Sequence, residues 1–396
     1  MKKILLVTQG FPFGNSERGF LETEYDILCS KADVYVLAIT ELNKNGSDKV
    51  IPFQNYKKKK VEFLYQLKYK EVWEDIANAS KDVSLKTFFK RLKRIVSYSI
   101  DADHIKKVME DIIIRNGIHI VYTYWCLPAT VAALRLKNSY DICVISRFHG
   151  FDLYKFREQS GWQPLRNYIA NKSNLLVFAC KEAREYWLHE ISNCPEKAIV
   201  SYIGTKPSDR IVIEKHDTLR VVSCSNNVPL KRVDMIARVI NIVSKNVKVE
   251  WYHIGGPIEK FLFLEEKKTP YFMYGTVEHS LVKEIYFDIK PDIFITLSTT
   301  EGGAPVSIQE AMSMGIPTLG TDVGGISELI EDGVNGFLVP KNVSEDEVAK
   351  IIVEFSNYTL EKRKEFSDNA YRKWENDFNA INNSKEFTKK LINLSL

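Results

Sequence analysis

Two carboxylates flank one proline in the stretch 298–317: Glu301 lies four residues before Pro305, and Glu310 lies five residues after it. A proline at this place opens a helix, and the first N–H groups of a helix together with its positive dipole end suit an anion. The pair Gly302 and Gly303 allows a ligand close to the backbone, with Ala304, Pro305 and Val306 leading into the helix. Glu301 would sit in the loop and Glu310 one and a half turns into the helix, whose buried stripe is Ile308, Ala311 and Met312. Two carboxylates beside such a helix start are good acceptors for sugar or ribose hydroxyls. On spacing alone they read equally as a loop carboxylate and a solvated helix carboxylate.

Lys231 and Arg232 stand together at another predicted helix start, after the apolar run 219–224. An ammonium and a guanidinium there can neutralise a diphosphate, although a solvated helix start has the same composition. His149 and Asp152 follow the apolar run 142–146 in Arg147-Phe148-His149-Gly150-Phe151-Asp152, where Gly150 admits a ligand. A lone histidine is also commonly structural. The lone Asp-x-Asp, Asp101-Ala102-Asp103, falls on a helical pattern and reads as solvated, so no metal is expected.

The elements that would position these residues alternate regularly. Runs at 4–7, 34–39, 118–122, 142–146 and 175–179, and again at 219–224, 249–254, 271–274, 293–297 and 317–320, read as buried parallel strands. Helical patterns such as 233–243 and 306–314 lie between them. This βαβα alternation occurs twice and predicts an α/β protein of two doubly wound, Rossmann-like domains facing a cleft. The 396-residue length fits two cores. The aperiodic Gly, Pro, Asp and Lys of 204–218 mark the linker, giving domains 1–205 and 206–374, with a terminal helix near 375–396 crossing back onto the first. In such sheets ligands bind at the carboxyl ends of strands, where all the candidates above lie.

Six cysteines, Cys29, Cys126, Cys143, Cys180, Cys194 and Cys224, form no C-x-x-C pair and read as reduced core thiols. The apolar stretch after Met1-Lys2-Lys3 ends at Thr8, too short for a secretion signal, and no run reaches the roughly 18 apolar residues of a membrane span. A cytoplasmic protein is expected.

The segment 298–317, continued by Thr321-Asp322-Val323-Gly324-Gly325 and Asp332-Gly333-Val334-Asn335-Gly336-Phe337, resembles the donor-binding core of retaining GT-B glycosyltransferases related to sucrose and glycogen synthases. The likeness is strongest over 231–340 and continuous from Met1. It implies a metal-independent transfer, with retention, of a hexose or N-acetylhexosamine from a nucleoside-diphosphate sugar, UDP first and GDP second. The implied acceptor is a lipid-linked glycan, surface polysaccharide or glycoconjugate. The family motif places the first glutamate on the donor sugar and the second on the ribose; by resemblance these are Glu301 and Glu310. Here eight residues separate them instead of seven. The family's arginine ahead of the lysine is Asn226, and Arg232 follows Lys231 in its stead. Gly255 with Gly256-Pro257, and Gly275-Thr276-Val277, occupy the places where the family's backbone meets the nucleotide. Gly10, Phe13 and Gly14 resemble the flexible loop between phosphate and acceptor, Trp125 a residue lining the acceptor cleft, and His149 the histidine facing the reacting sugar. The implied catalytic set is His149, Glu301 and Lys231, and no cofactor beyond the sugar nucleotide is implied. A non-catalytic GT-B partner within a larger transferase complex is the alternative. A Rossmann oxidoreductase fits less well, because the loop after the first strand lacks G-x-G-x-x-G.

The net charge of +4 hides an asymmetry: 57–94 holds 12 Lys and Arg against 5 Asp and Glu, +7, leaving −3 elsewhere. Cations mix there with aromatic and aliphatic residues at helical spacing. Such helices lie on anionic membranes, or else pack through Phe63, Leu64, Leu67, Phe88 and Leu92 and solvate their charge. With no recognition motif and an acidic remainder, nucleic acid is not expected.

Overall fold

The computed structural model describes residues 1–14, 17–40, 46–53, 56, 61–214, 216–256 and 270–394. The chain divides into two compact units, Met1–Ser201 with Ser384–Leu396, and Tyr202–Asn383.

The first unit carries an all-parallel sheet in the order β3-β2-β1-β4-β5-β6-β7. Its strands are β1 (Lys3–Thr8), β2 (Asp33–Ala38), β3 (Val50–Pro52), β4 (Ile120–Thr123), β5 (Cys143–Phe148), β6 (Leu175–Phe178) and β7 (Ala198–Val200). Between them run α1 (Arg18–Cys29), α2 (Glu62–Tyr65), α3 (Lys70–Ala79), α4 (Leu85–Asn116), α5 (Pro128–Leu136), α6 (Arg166–Lys172) and α7 (Lys181–Glu190). β1 pairs with β2 and β4 in register, Leu5 opposite Tyr35 and Val121, and both its faces are buried. This is why its sequence is a continuous apolar run rather than an alternating one. Helix α4 spans 32 residues, opened by the Ser84 hydroxyl accepting from Thr87 N and closed by Gly117 at φ 64°.

The second unit repeats the plan with the order β10-β9-β8-β11-β12-β13, again all parallel. Its strands are β8 (Leu219–Cys224), β9 (Val249–Ile254), β10 (Tyr271–Gly275), β11 (Ile293–Thr296), β12 (Thr318–Thr321) and β13 (Gly336–Val339). Its helices are α8 (Val233–Val243), α9 (Leu281–Ile289), α10 (Val306–Ser313), α11 (Ile326–Leu329), α12 (Glu345–Ser356) and α13 (Leu360–Asp377). The strand pleat sorts the core: Val221, Ile293 and Ile295 pack with α8 and α12, and Val222 and Phe294 pack with α9, α10, α11 and α13.

Three strands go beyond the sequence expectation. β3 and β7 are three residues long, and β3 ends on Pro52 at a sheet edge, the place where proline is tolerated. β13 lies inside the glycine-rich motif 332–339 and carries only four strand residues. The terminal helix expected near 375–396 is α14 (Ala380–Asn393), set off from α13, which stops at Asp377, by a break at Phe378-Asn379. Phe387 and Leu391 of α14 enter the core of the first unit, where the Arg147 guanidinium lies 4.6 Å from the Phe387 ring. Arg147 is fully buried and paired with Glu24 at 2.6 Å, and it also bonds the Tyr122 hydroxyl and Ser201 O. Burial pushes the Glu24 carboxyl up against the pull of Arg147.

The Asp101-x-Asp103 pair is not solvated, contrary to expectation. Asp101 accepts from the Tyr56 hydroxyl, and Asp103 accepts from Tyr69, Gln66 and Arg135. Helix α4 turns both acids toward Tyr56, Gln66 and Tyr69, long-range contacts that local spacing does not reveal.

Candidate functional site

In the second unit the loops after β8, β9, β10 and β11 interlock. Ser225 N donates to Ile254 O, Asn227 N to Gly256 O at 2.8 Å, Gly255 N to Gly275 O at 2.8 Å, and Thr299 N to Leu230 O at 2.8 Å. A Cβ on Gly255, at φ 131°, would lie 1.9 Å from Ser225 O, so only glycine lets these turns close. Likewise a Cβ on Gly324 would lie 2.5 Å from Glu301 O and one on Gly325 2.4 Å from Ala304 N, which seats the loop 301–304 directly on the turn after β12. Pro305 remains extended as the N-cap of α10, and the helix register to Glu310 is undisturbed.

The expected pairings take particular forms here. Lys231 Nζ meets Glu301 Oε1 in a short ion pair, both side chains mostly covered. The Arg232 guanidinium is spent on Leu297 O, Ser298 O and Lys341 O, and Arg232 itself takes φ 48° as the N-cap of α8. It braces the β11 loop instead of standing open beside Lys231. Asn226 and Thr276 are exposed, Val277 is half-buried, and Gly302, Gly303, Ala304, Pro305 and Val306 are half-buried along the path to Glu310. Pro257 lies outside the described residues.

Glu310 is 5% exposed and holds a partner the sequence did not disclose, His279, with Nε2 2.6 Å from Oε1. The Glu310 contact pulls the His279 pKa above its ordinary value. Burial, reinforced by the Glu310 charge, pushes the nearby Cys224 thiol up to about 12. No spacing rule flags an exposed histidine in the turn between β10 and α9.

In the first unit the candidates cluster at the ends of β1, β4 and β5. The His149 ring is 4.1 Å from Trp125 and 4.7 Å from Tyr124, between centroids. Its Nε2 lies 2.8 Å from Tyr124 O and so donates, which leaves Nδ1 as an acceptor. Burial, with Arg147 nearby, pushes its pKa down to about 3, so the imidazole is neutral. Asp152 is buried and accepts from His149 N at 2.8 Å and Cys126 N at 2.9 Å. Burial raises its pKa, opposed by these backbone donors. Phe13 N and Gly14 N both close onto Gly10 O.

A second residue without a sequence signal organises this region. The buried Glu17 carboxylate accepts from Gln9 N at 3.1 Å, Gly10 N at 2.6 Å, Phe11 N at 2.7 Å and the Trp125 indole. It ties the turn after β1 to the turn after β4. Asn15 and Ser16 of the same turn lie outside the described residues.

Lys57–Lys60 of the basic segment also lie outside the described residues. Beyond them, Val61, Phe63, Leu64 and Tyr65 are 52, 41, 65 and 61% exposed, while Gln66 is buried and bonds Ser99 and Asp103. Phe63 and Leu64 therefore do not pack as the alternative reading required, whereas Leu67, Phe88 and Leu92 are half-buried. Among the described residues no group of three His, Cys, Asp or Glu could hold a metal ion, and no helix is long and apolar enough to cross a membrane.

Residues 206–373 match the family model for glycosyl transferases group 1. An uncharacterized glycosyltransferase of Methanocaldococcus jannaschii is 27% identical over 284 residues, covering 69% of this chain and 76% of that protein. One component of the phosphatidylinositol N-acetylglucosaminyltransferase of Homo sapiens is 29% identical over 264 residues; 63% of this chain aligns with 53% of that protein. Among solved structures, Anabaena HepE in complex with UDP and glucose superposes over 100% of both chains with a TM-score of 0.67 at 16% identity. That likeness shows the fold, which is GT-B.

Proposed function

Starting from a chain that carries a group 1 glycosyl transferase domain on a GT-B fold, we propose that it moves a hexose or N-acetylhexosamine from a nucleoside-diphosphate sugar, UDP first, to a glycan or lipid-linked acceptor in polysaccharide or glycoconjugate synthesis. The observation that carries this is the convergence of four post-strand loops of the second unit on the start of α10, with Lys231, Glu301 and Glu310 among them. In this reading Lys231 and the N–H groups at the start of α10 take the diphosphate, Glu310 the ribose, Glu301 the donor sugar, and Gly275-Thr276-Val277 the base. UDP in the complex of the GT-B neighbour HepE supports a nucleotide donor. The human relative, by its name, acts on phosphatidylinositol, which supports a lipid-borne acceptor.

Transfer proceeds with retention. The bond from the anomeric carbon to the phosphate oxygen breaks as the acceptor oxygen attacks from the same face, and the acceptor proton passes to the departing phosphate. Stabilising that phosphate is the main electrostatic task; Lys231 does this without a metal. His149, neutral and accepting at Nδ1, orients a sugar hydroxyl rather than donating a proton. The exposed apolar side chains within the basic segment 57–94 support peripheral contact with an anionic membrane on its cytoplasmic face.

The test is turnover by the isolated chain across UDP-, GDP-, ADP- and dTDP-sugars. Transfer or donor hydrolysis with one of them, lost in Lys231→Ala, is the expected result. Nucleotide binding without turnover would favour a non-catalytic partner, and a response to NAD in place of all four would overturn the reading.

A further inference from the structure

His279 lies in the turn between β10 and α9, remote in sequence from the motif that contains Glu310, yet its Nε2 is 2.6 Å from Glu310 Oε1. The two sides of this pair differ: the histidine is 57% exposed and the glutamate 5%. On the histidine side, Lys283 of α9 donates to Lys206 O at 2.9 Å and feels the Glu310 charge, while the Lys283 and Lys206 ammonium groups both oppose protonation of His279. On the sheet side stand Cys224 and Tyr286, both held protonated by burial and by the Glu310 charge. Among the described residues Glu310 is thus a covered carboxylate with one side-chain donor, which fixes one of its oxygens. A carboxylate oxygen has two lone-pair sites, so the His279 bond consumes one site on Oε1 and leaves Oε2 whole. It also sets the plane of the group. A ribose diol presents two hydroxyls at fixed spacing, and a carboxylate whose plane is set receives both at less entropic cost.

Resting on the donor-site reading above, we infer that His279 is a positioning residue for Glu310, and that it sets how strongly the site distinguishes a ribonucleotide from its 2′-deoxy counterpart. The protonated imidazole makes the stronger, charge-assisted bond. Its contribution is therefore complete at low pH and declines as pH rises through the raised His279 pKa. Cys224 and Tyr286 stay protonated across that window, since both are shifted upward.

The experiment is calorimetric titration of the full chain with UDP or GDP, whichever binds more tightly, and with its 2′-deoxy form, at intervals from pH 6 to 8.5. It is run on wild type, His279→Gln and Glu310→Gln. A hydrogen bond to a charged acceptor predicts a wild-type preference for the ribonucleotide of about tenfold or more. Glu310→Gln abolishes it; His279→Gln, with its melting temperature unchanged, reduces it by about threefold and removes its pH dependence. The nucleotide's own phosphate titration is common to all three proteins and cancels in the comparison. A ribose preference that is unchanged in His279→Gln, or that keeps its pH dependence there, overturns the positioning role while the donor site stands. Failure of wild type to bind either nucleotide overturns the donor reading and this inference with it.

Discussion

In the first unit Glu17 accepts three backbone N–H groups and an indole, and Asp152 accepts two further backbone N–H groups. At the candidate site of the second unit two carboxylates face side chains instead, Glu301 meeting the Lys231 ammonium and Glu310 the His279 imidazole. Backbone donors are fixed in place, so Glu17 and Asp152 hold turns in shape. A mobile side chain can exchange its partner for a ligand, so Glu301 and Glu310 are free to take part in the proposed binding. On the proposed reading the same residue type builds a wall in one unit and a receptor in the other.

The largest effect that would break this contrast is on turnover. Lys231→Ala is expected to lower the transfer rate by roughly 10²–10³, the usual loss when one preorganised donor to a developing charge is removed. A loss under about tenfold would mean that the Lys231–Glu301 pair is structural, like its counterparts in the first unit. Next comes stability. Glu17→Ala leaves several covered donors without their acceptor and should cost about 3 kcal/mol in denaturant unfolding. Glu301→Ala, whose partner Lys231 can swing to water, should cost about 1 kcal/mol or less. Equal costs would erase the distinction.

The pH dependence of stability sharpens it further. His149 in the first unit and His253 in the second are held neutral by burial, with pKa values pushed down to about 3 and about 4. The unfolded chain binds more protons than the folded one below about pH 6.5, so stability from each is present above that pH and lost as pH falls through it, by up to about 1.4 kcal/mol per pH unit. His149→Gln should flatten the acid limb of the first unit's unfolding between pH 6.5 and 4 and leave that of the second unaltered. The smallest effect is at the membrane. Lys68→Gln, beside exposed Leu64 and Tyr65, should weaken sedimentation with anionic vesicles by about 1 kcal/mol, or roughly fivefold, and leave neutral vesicles unaffected. Unchanged binding after neutralising Lys57–Lys60 and Lys90–Arg94 together would contradict a membrane surface.

What the sequence disclosed follows the range of the forces involved. The buried parallel strands are legible because burial on both faces demands continuous apolar runs, as in Ile4-Leu5-Leu6-Val7. The start of α10 is legible because Pro305 punctuates locally. The Rossmann-like order of both sheets follows from the alternation of elements. The illegible parts are long-range polar contacts. Arg147 meets Glu24 across 123 positions, Trp125 meets Glu17 across 108, and His279 meets Glu310 from another strand's loop; no periodicity encodes such pairs. The solvated reading of Asp103 failed for the same reason, since its partners Tyr69 and Arg135 sit on other elements. Short strands such as β3 and β7 offer too few residues for any pattern to stand out.

The central claim is that the loops around α10 form a nucleoside-diphosphate site that depends on Lys231. Calorimetric titration of UDP into the intact chain and into Lys231→Ala tests it most directly. The account predicts saturable one-to-one binding by the wild type, weakened about 10- to 100-fold in the variant, as expected for a hydrogen bond to a charged group. Equal affinity in the two proteins, or binding of NAD in place of UDP, would contradict it.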